Sequence, residues 1–378
     1  MIYLDYAANT PVEKDVLKEY VNATTKYIAN PNSSHPLGIE AKKIIDDSSN
    51  IIGSYFDINK ENIIYTSGSS ESNNLVIKGI AEINKDKGKH IIISAIEHSS
   101  IIAPCNYLAS KGYEISVIPI LNNGEIDIEE LKKTIRYDTI LVSICYVDSE
   151  LGTIQPIKKI ANIVSKYPNC IFHTDATQAV GKIKVDFKNV DFVTFAPHKF
   201  YGLNGFGVLL NINNKKLIPL IHGGKSTTIY RSGTPVTANV VALKKSIELA
   251  LDNLVDRYEY ISNLNKYLRE ELSIFTNVHI NSPKCSVPNT LNISLINMNA
   301  KEIVKKLGEQ QIYLSTTSAC SLGSTPSKSV YAITNDLELA KNSIRISLSH
   351  LTNINELKQF IASFKKIYDE ELRSNENN

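Results

Sequence analysis

Between Ile63 and Ile212 short apolar runs alternate with helix-like segments, and this rhythm limits the folds open to the chain more than any other feature. "NIIYTSGS" leads into "ESNNLVIKGIAEIN", and "HIIISAIEHSS" leads into "IIAPCNYLAS" and then the run "YEISVIPI". "DIEELKKTI" begins with Asp127 and carries Glu130 three residues on, a spacing that predicts a capping box at a helix start. "TILVSICYV", "CIFHTDAT", "DFVTFAPHKF" and "GVLLNI" follow. Strand-length apolar runs separated by helices predict an α/β fold with a mostly parallel sheet covered on both faces. A helical pattern from about Ala238 to Ser273 is predicted to form one long helix.

Beyond it the texture changes to short strands between helices: "NTLNISLI", "YLSTTSAC" and "SIRISLS", then the helical "INELKQFIASFKKIYDEEL". The expected division is a large α/β domain over 13–255 and a small α+β domain built from 1–12 and 256–378, which suits a chain of 378 residues. A net charge of +2 gives no electrostatic case for nucleic acid or an anionic membrane as partner. The apolar runs are too short to span a bilayer, and "MIYLDYAANTPVEKD" has no basic or apolar region of a secretory signal. Cys105, Cys145, Cys170, Cys285 and Cys320 lie far apart, with no spacing that would hold zinc, so no metal site is expected. Scattered, odd-numbered cysteines imply reduced thiols and a cytoplasmic location. Cys145 and Cys170 sit in apolar runs and read as small core residues.

In parallel sheets, ligands bind beyond the carboxyl ends of the strands. Four apolar runs end on polar clusters there: "TSGSSES", "EHSS", "DATQ" and "APHKFYG". Together they point to one shared pocket. Lys199 is either a surface lysine at a strand end or a desolvated amine nucleophile able to form a Schiff base with pyridoxal 5'-phosphate. That cofactor needs a carboxylate at its ring nitrogen, for which Asp175 is the candidate; the plainer reading of Asp175 is a helix cap. Ser67 to Ser70, directly before a helix, offer glycine and hydroxyls to a phosphate. His98 is either a stacking ring or a satisfied structural histidine. In "STTSACSLGSTPSKS" the lone thiol of Cys320 stands among small polar residues, a setting that suits an exposed, reactive sulfur as well as an incidental one.

The segments "YLDYAANTP", "NPNSSHPLG", "TSGSSESNNLVIKG", "EHSSII", "SELGTIQPI", "FHTDATQAVGK", "HKFYG", "RSGT", "SAC" and "SIRISL" come in the order seen in the cysteine desulfurases. The chain resembles that family from about Ile2 to about Leu351. These are pyridoxal-phosphate enzymes of the class V aminotransferase group, with the fold of the aspartate aminotransferase-like (fold type I) PLP-dependent transferases. The resemblance implies that Lys199 carries the cofactor, Asp175 keeps its ring nitrogen protonated, Gln178 bonds its phenolic oxygen and His98 stacks on it as a catalytic group. It implies phosphate contacts from Ser69, Ser70 and His198, with Thr234 reaching over from a second subunit of a homodimer. Arg345 and Asn32 would bind the substrate, L-cysteine, the guanidinium taking its carboxylate. Cys320 would take the sulfur as a persulfide, release L-alanine, and pass the sulfur to an acceptor protein in iron–sulfur cluster assembly or tRNA thiolation. The chain departs from the family pattern at several positions: Ser149 stands for an asparagine, Ala196 for a serine, Ser69-Ser70 for an alanine-threonine pair, Asn204 for a lysine and "GGKST" for Gly-Gly-Gly-Gln-Glu. "GGKST" carries Lys225, whose ammonium would offset those losses near the phosphate. The alternatives are another class V enzyme, such as a selenocysteine lyase or an aminotransferase, and a weakly active cofactor-binding scaffold in sulfur transfer.

Overall fold

A computed structural model describes residues 1–316 and 325–376. Its strands are β1 (Ile2–Tyr3), β2 (Ile63–Thr66), β3 (His90–Ser94), β4 (Glu114–Ile118), β5 (Thr139–Ser143), β6 (Ile171–Asp175), β7 (Phe192–Phe195), β8 (Gly207–Asn211), β9 (Val278–Ile280), β10 (Thr290–Leu295), β11 (Ile312–Tyr313) and β12 (Ser343–Ser347). Seven of them form one sheet in the order β2-β8-β7-β6-β5-β3-β4. Every pairing in it is parallel except those of β8, which runs antiparallel to both β2 and β7.

The period-2 alternation of strand side chains divides the core into two layers. Ile64, Ile91, Leu141, Ile171, Phe192 and Leu209 face the layer that holds Leu75 and Ile80 of helix Ser69–Ile83 and Ile101 and Leu108 of helix Ser99–Ala109. Their chain neighbours Ile63, Ile92, Val142, Phe172, Val193 and Leu210 face the other layer, with Ile45 and Ile52 of helix Pro36–Phe56 and Val240 and Leu243 of helix Thr237–Asp252. Both faces are dry, which is why these strands read as continuous apolar runs.

A second apolar core gathers Leu4, Leu268, Leu291, Ile346, Phe360 and Phe364 around the antiparallel sheet β12-β10-β9. The start of the chain belongs to this core, since β1 pairs in parallel with β11.

The structure departs from the sequence reading at three places. The long helix is two helices, Thr237–Asp252 and Leu254–Leu272, meeting at Asn253. Asn253 donates its side-chain N–H to the carbonyl of Leu249 at 2.8 Å, an alternative to continued helix. Val240 and Ile247 pack in the first core and Leu264 and Leu268 in the second, so the two halves answer to different partners. At the helix Ile128–Thr134, Asp127 accepts from the N–H of Glu129 and Glu130 as expected. The reciprocal half of the capping box is not made, because the Asp127 N–H donates to the carbonyl of Pro119 at 3.0 Å. Of the described part of "YLSTTSAC", residues 313–316, only Tyr313 lies in a strand, followed by an isolated bridge from Ser315 to Arg345. Among the described residues no helix is long and apolar enough to cross a membrane.

Candidate active site

The polar clusters at the carboxyl ends of β2, β3, β6 and β7 open on one cavity of ≈ 290 Å³. Lys199 ends the short 3₁₀ turn Pro197–Lys199 that follows β7. Its Nζ donates to the carbonyls of Ala7 and Ala8, at 2.9 and 2.5 Å. The N-terminal segment thus lies over the lysine, held there by Thr10, whose N–H and hydroxyl both donate to the carbonyl of His198.

Asp175, at the end of β6, is buried and lines the same cavity. Asn73 donates to its Oδ2 at 2.8 Å, and the N–H of Thr177 donates to its Oδ1 at 3.0 Å. The other N–H of Asn73 donates to Ser100 Oγ at 2.9 Å, and Ser100 Oγ pairs with His98 Nδ1 at 2.8 Å. The Ser100 backbone N–H also donates to His98 Nδ1, so that nitrogen is an acceptor and a neutral ring carries its proton on Nε2. Burial, outweighing the nearby charge of Asp175, lowers the pKa of His98, which favours the neutral ring. His198, on the cavity wall, is pushed to about 4 by burial and by the charges of Lys199 and Lys182.

Gln178 lines the cavity and donates through Nε2 to the carbonyl of Ala7 at 3.0 Å. Ser69 and Ser70 stand at the start of helix Ser69–Ile83, whose N-cap, Gly68, makes no side-chain cap bond. Ser149 is also on the wall, and its carbonyl accepts from Arg345 Nη1 at 3.1 Å. Arg345 on β12 is 1% exposed and lines the cavity; its Nη2 donates to Asp5 at 2.8 Å, while its Nε has no partner. The arginine of this ion pair is buried and Asp5 is half-buried, unlike the surface pair that a plain edge-strand arginine would make.

Three of the expected residues lie elsewhere in the single chain, among them Thr234, which was expected to serve a second subunit's site. Asn32 is exposed and borders a separate hollow with Tyr65, and Thr234 is exposed beside another with Gly205. Within one chain neither reaches the cavity, and neither does Lys225, which is exposed. Cys320 lies outside the described residues. Further along the chain, Ser327 donates to Glu150 and Ser329 donates to Asp148 at 2.8 Å, on either side of Ser149. Burial, then the charge of Glu150, raises the pKa of Asp148 to about 6. Cys145 is buried, as its apolar run suggested, but it also forms part of the cavity wall, where burial pushes its thiol well up.

Sequence reasoning passed over Asn73, Ser100 and Thr177. Asn73 had a signal, since it shares a helix face with Ile77 and Ile80, and a polar residue on a buried stripe needs a partner. The carbonyls of Ala7 and Ala8 had none, because backbone acceptors leave no trace in residue type. Among the described residues no cluster able to hold a metal ion occurs.

The family model for aminotransferase class-V matches residues 2–360. A curated cysteine desulfurase IscS from Dictyoglomus turgidum is 38% identical over 378 residues, 99% of this chain and 95% of that protein. A solved NifS-like protein superposes with a TM-score of 0.92 at 31% identity, covering 97% of this chain and 99% of its own. A structure described as SspA in complex with cysteine gives a TM-score of 0.81 at 32% identity over 92% of this chain and 99% of that one. The chain therefore belongs to the class-V aminotransferase family and, within it, to the cysteine desulfurases of the IscS and NifS kind.

Proposed function

We infer that this cysteine desulfurase works in the cavity at Lys199, with pyridoxal 5'-phosphate as its cofactor and L-cysteine as its substrate. The observation that carries the reading is the convergence of an amine (Lys199), a buried carboxylate (Asp175) and a neutral imidazole (His98) on one cavity from three strand ends. The donor set fits the cofactor. At one side lie the Ser69 and Ser70 hydroxyls and the uncapped first-turn N–H groups of a fifteen-residue helix, an arrangement suited to phosphate. On another the carboxylate of Asp175 suits a protonated ring nitrogen. Thr177, on the cavity wall, has a buried hydroxyl with no partner, which a bound group would satisfy.

Bound there, the cofactor supplies an electron sink that weakens the bonds at the substrate's α- and β-carbons. The chain's residues do the rest. Asn73 and Thr177 hold both oxygens of Asp175, so that its carboxylate would be fixed in place to pair with a protonated ring nitrogen. His98 presents its face and an Nε2–H. Lys199 Nζ takes the α-proton of the substrate as general base. Arg345 binds the substrate carboxylate, kept in place by Asp5 and the Ser149 carbonyl. The Cys320 thiolate receives the sulfur: an S–S bond forms as the substrate C–S bond breaks, the C–S electron pair stays on the β-carbon, that carbon takes a proton, and L-alanine is released from a Cys320 persulfide.

The reading extends to a homodimer in which Thr234 serves the partner's site, to a sulfur-acceptor protein in iron–sulfur cluster assembly or tRNA thiolation, and to the cytoplasm. The free thiols of Cys105, Cys145, Cys170 and Cys285 support that location. The test is to incubate the protein with pyridoxal 5'-phosphate and L-cysteine, quantify alanine, and weigh the peptide that carries Cys320. Alanine with one extra sulfur on Cys320 is expected. Full alanine and sulfide turnover in Cys320→Ala would defeat the reading.

A further inference from the structure

Lys182 has no part in the mechanism above, yet it is buried within hydrogen-bond reach of the cofactor-side residues. Its Nζ donates to Oε1 of Gln178. Gln178 in turn donates through Nε2 to the carbonyl of Ala7, the same carbonyl that accepts from Lys199. Reversing the amide would set Oε1 against the Ala7 carbonyl, losing that bond, and would turn Nε2 towards Lys182, whose ammonium form has no lone pair to accept it. The amide is therefore held one way round. One N–H of Nε2 is spent on Ala7, and the other remains on the side chain that borders the cavity.

The backbone is shaped to bring Lys182 to this point. Gly181 has φ +76°, and a Cβ there would stand 2.7 Å from Phe200 Cβ and 3.1 Å from Ala250 Cβ. Lys182 borders a small internal hollow with Tyr6, Lys199, Tyr201, Arg257 and His350. Burial, then the charges of Lys199 and Arg345, lowers its pKa to about 7. An isolated surface lysine would meet none of these conditions.

We propose that Lys182 is a positioning residue that fixes the Gln178 amide with its N–H turned to the cofactor, so that Gln178 acts only as a donor. This rests on the reading that pyridoxal 5'-phosphate binds at Lys199. The test measures pyridoxal 5'-phosphate affinity, and the pH at which the bound cofactor's visible absorbance is half-lost, in wild type, Lys182→Met, Lys182→Arg, Gln178→Ala and the Gln178→Ala/Lys182→Met pair. Lys182→Met is expected to weaken affinity by roughly three- to tenfold and to move the absorbance midpoint. Lys182→Arg, which stays a donor at every accessible pH, keeps both near wild type. In the Gln178→Ala background Lys182→Met adds no further change. If methionine is not tolerated, Lys182→Gln, which can face the amide either way, gives the same direction of change by a smaller amount. Equal values in wild type and the Met or Gln variant overturn the proposal, as does a full effect that persists without Gln178. A wild-type protein that stays colourless with excess pyridoxal 5'-phosphate overturns the cofactor reading itself, and the proposal with it.

Discussion

Asn73 donates a 2.8 Å hydrogen bond to Asp175, joining a helix start after β2 to the end of β6. The same amide reaches Ser100, and through it His98, so two site residues from different strands share one fully buried support. Asn73→Leu keeps the volume and removes both bonds. The Asp175 oxygen and the Ser100 hydroxyl then lose a donor inside the protein, at a cost of about 1–3 kcal/mol. Chemical denaturation is expected to show that loss, with a parallel fall in cofactor affinity. If both stay at wild-type values, the shared support is not real.

Arg345 pairs with Asp5 through Nη2 and with the Ser149 carbonyl through Nη1, leaving Nε for a further acceptor. A lysine keeps the charge but cannot hold three directions in one plane. Arg345→Lys is expected to raise KM for L-cysteine by roughly tenfold or more. Steady-state kinetics at saturating cofactor decide this; an unchanged KM would remove Arg345 from substrate binding.

Glu97 is fully buried; Ser94 donates to it at 2.5 Å and the Cys145 N–H at 2.9 Å. Burial raises its pKa from 4.5 to about 8. A carboxyl whose folded pKa lies above its unfolded one contributes stability that is full below the unfolded value. That stability is lost as pH rises towards the folded value, levelling off above about 8. Glu97→Gln removes this dependence, so the difference in unfolding free energy between wild type and variant should shift against the wild type from pH 5 to pH 8. Denaturation curves that run parallel at the two pH values would show that Glu97 is not held protonated.

Gly207, at the start of β8, faces the turn before the helix Ser69–Ile83. A Cβ at Gly207 would lie 2.3 Å from the Gly68 carbonyl carbon and 2.5 Å from its Cα, both backbone atoms. Gly207→Ala must push that turn away from the strand. A lower melting temperature, corresponding to about 1–3 kcal/mol, and weaker binding of pyridoxal 5'-phosphate are expected. Normal melting with normal affinity would mean that the turn shifts without consequence.

Ser327 and Ser329 fasten the chain after Cys320 to Glu150 and Asp148. Replacing both with alanine leaves two buried carboxylates short of a donor while leaving the Lys199 cavity intact. Persulfide formation on Cys320 is expected to slow by roughly tenfold, as for the loss of about 1.4 kcal/mol of positioning, with cofactor affinity near wild type. Mass spectrometry after rapid quenching measures the rate. Wild-type persulfide kinetics would separate this anchor from the sulfur step.

The alternation of apolar runs and polar clusters was enough to read the layered α/β sheet and the strand ends where Ser69, His98, Asp175 and Lys199 meet. This works because the period of a strand and the burial of both its faces are written in residue type. The break at Asn253 was not readable in the same way. A helical pattern continues through it, and the division comes from two cores competing for successive turns.

The sequence by itself determined the candidate groups: a lysine, a carboxylate and an imidazole, each placed shortly after a strand-length apolar run. Only the tertiary structure decided how those groups are held. Asn73 meets Asp175 from 102 positions away, Arg345 meets Asp5 from 340, and Lys199 is met by backbone carbonyls near the N-terminus. Hydrogen bonds of such long separation depend on where the sheet order and the two cores bring distant segments together. Nothing in the local sequence encodes that distance, whereas strand and helix periods are local by nature.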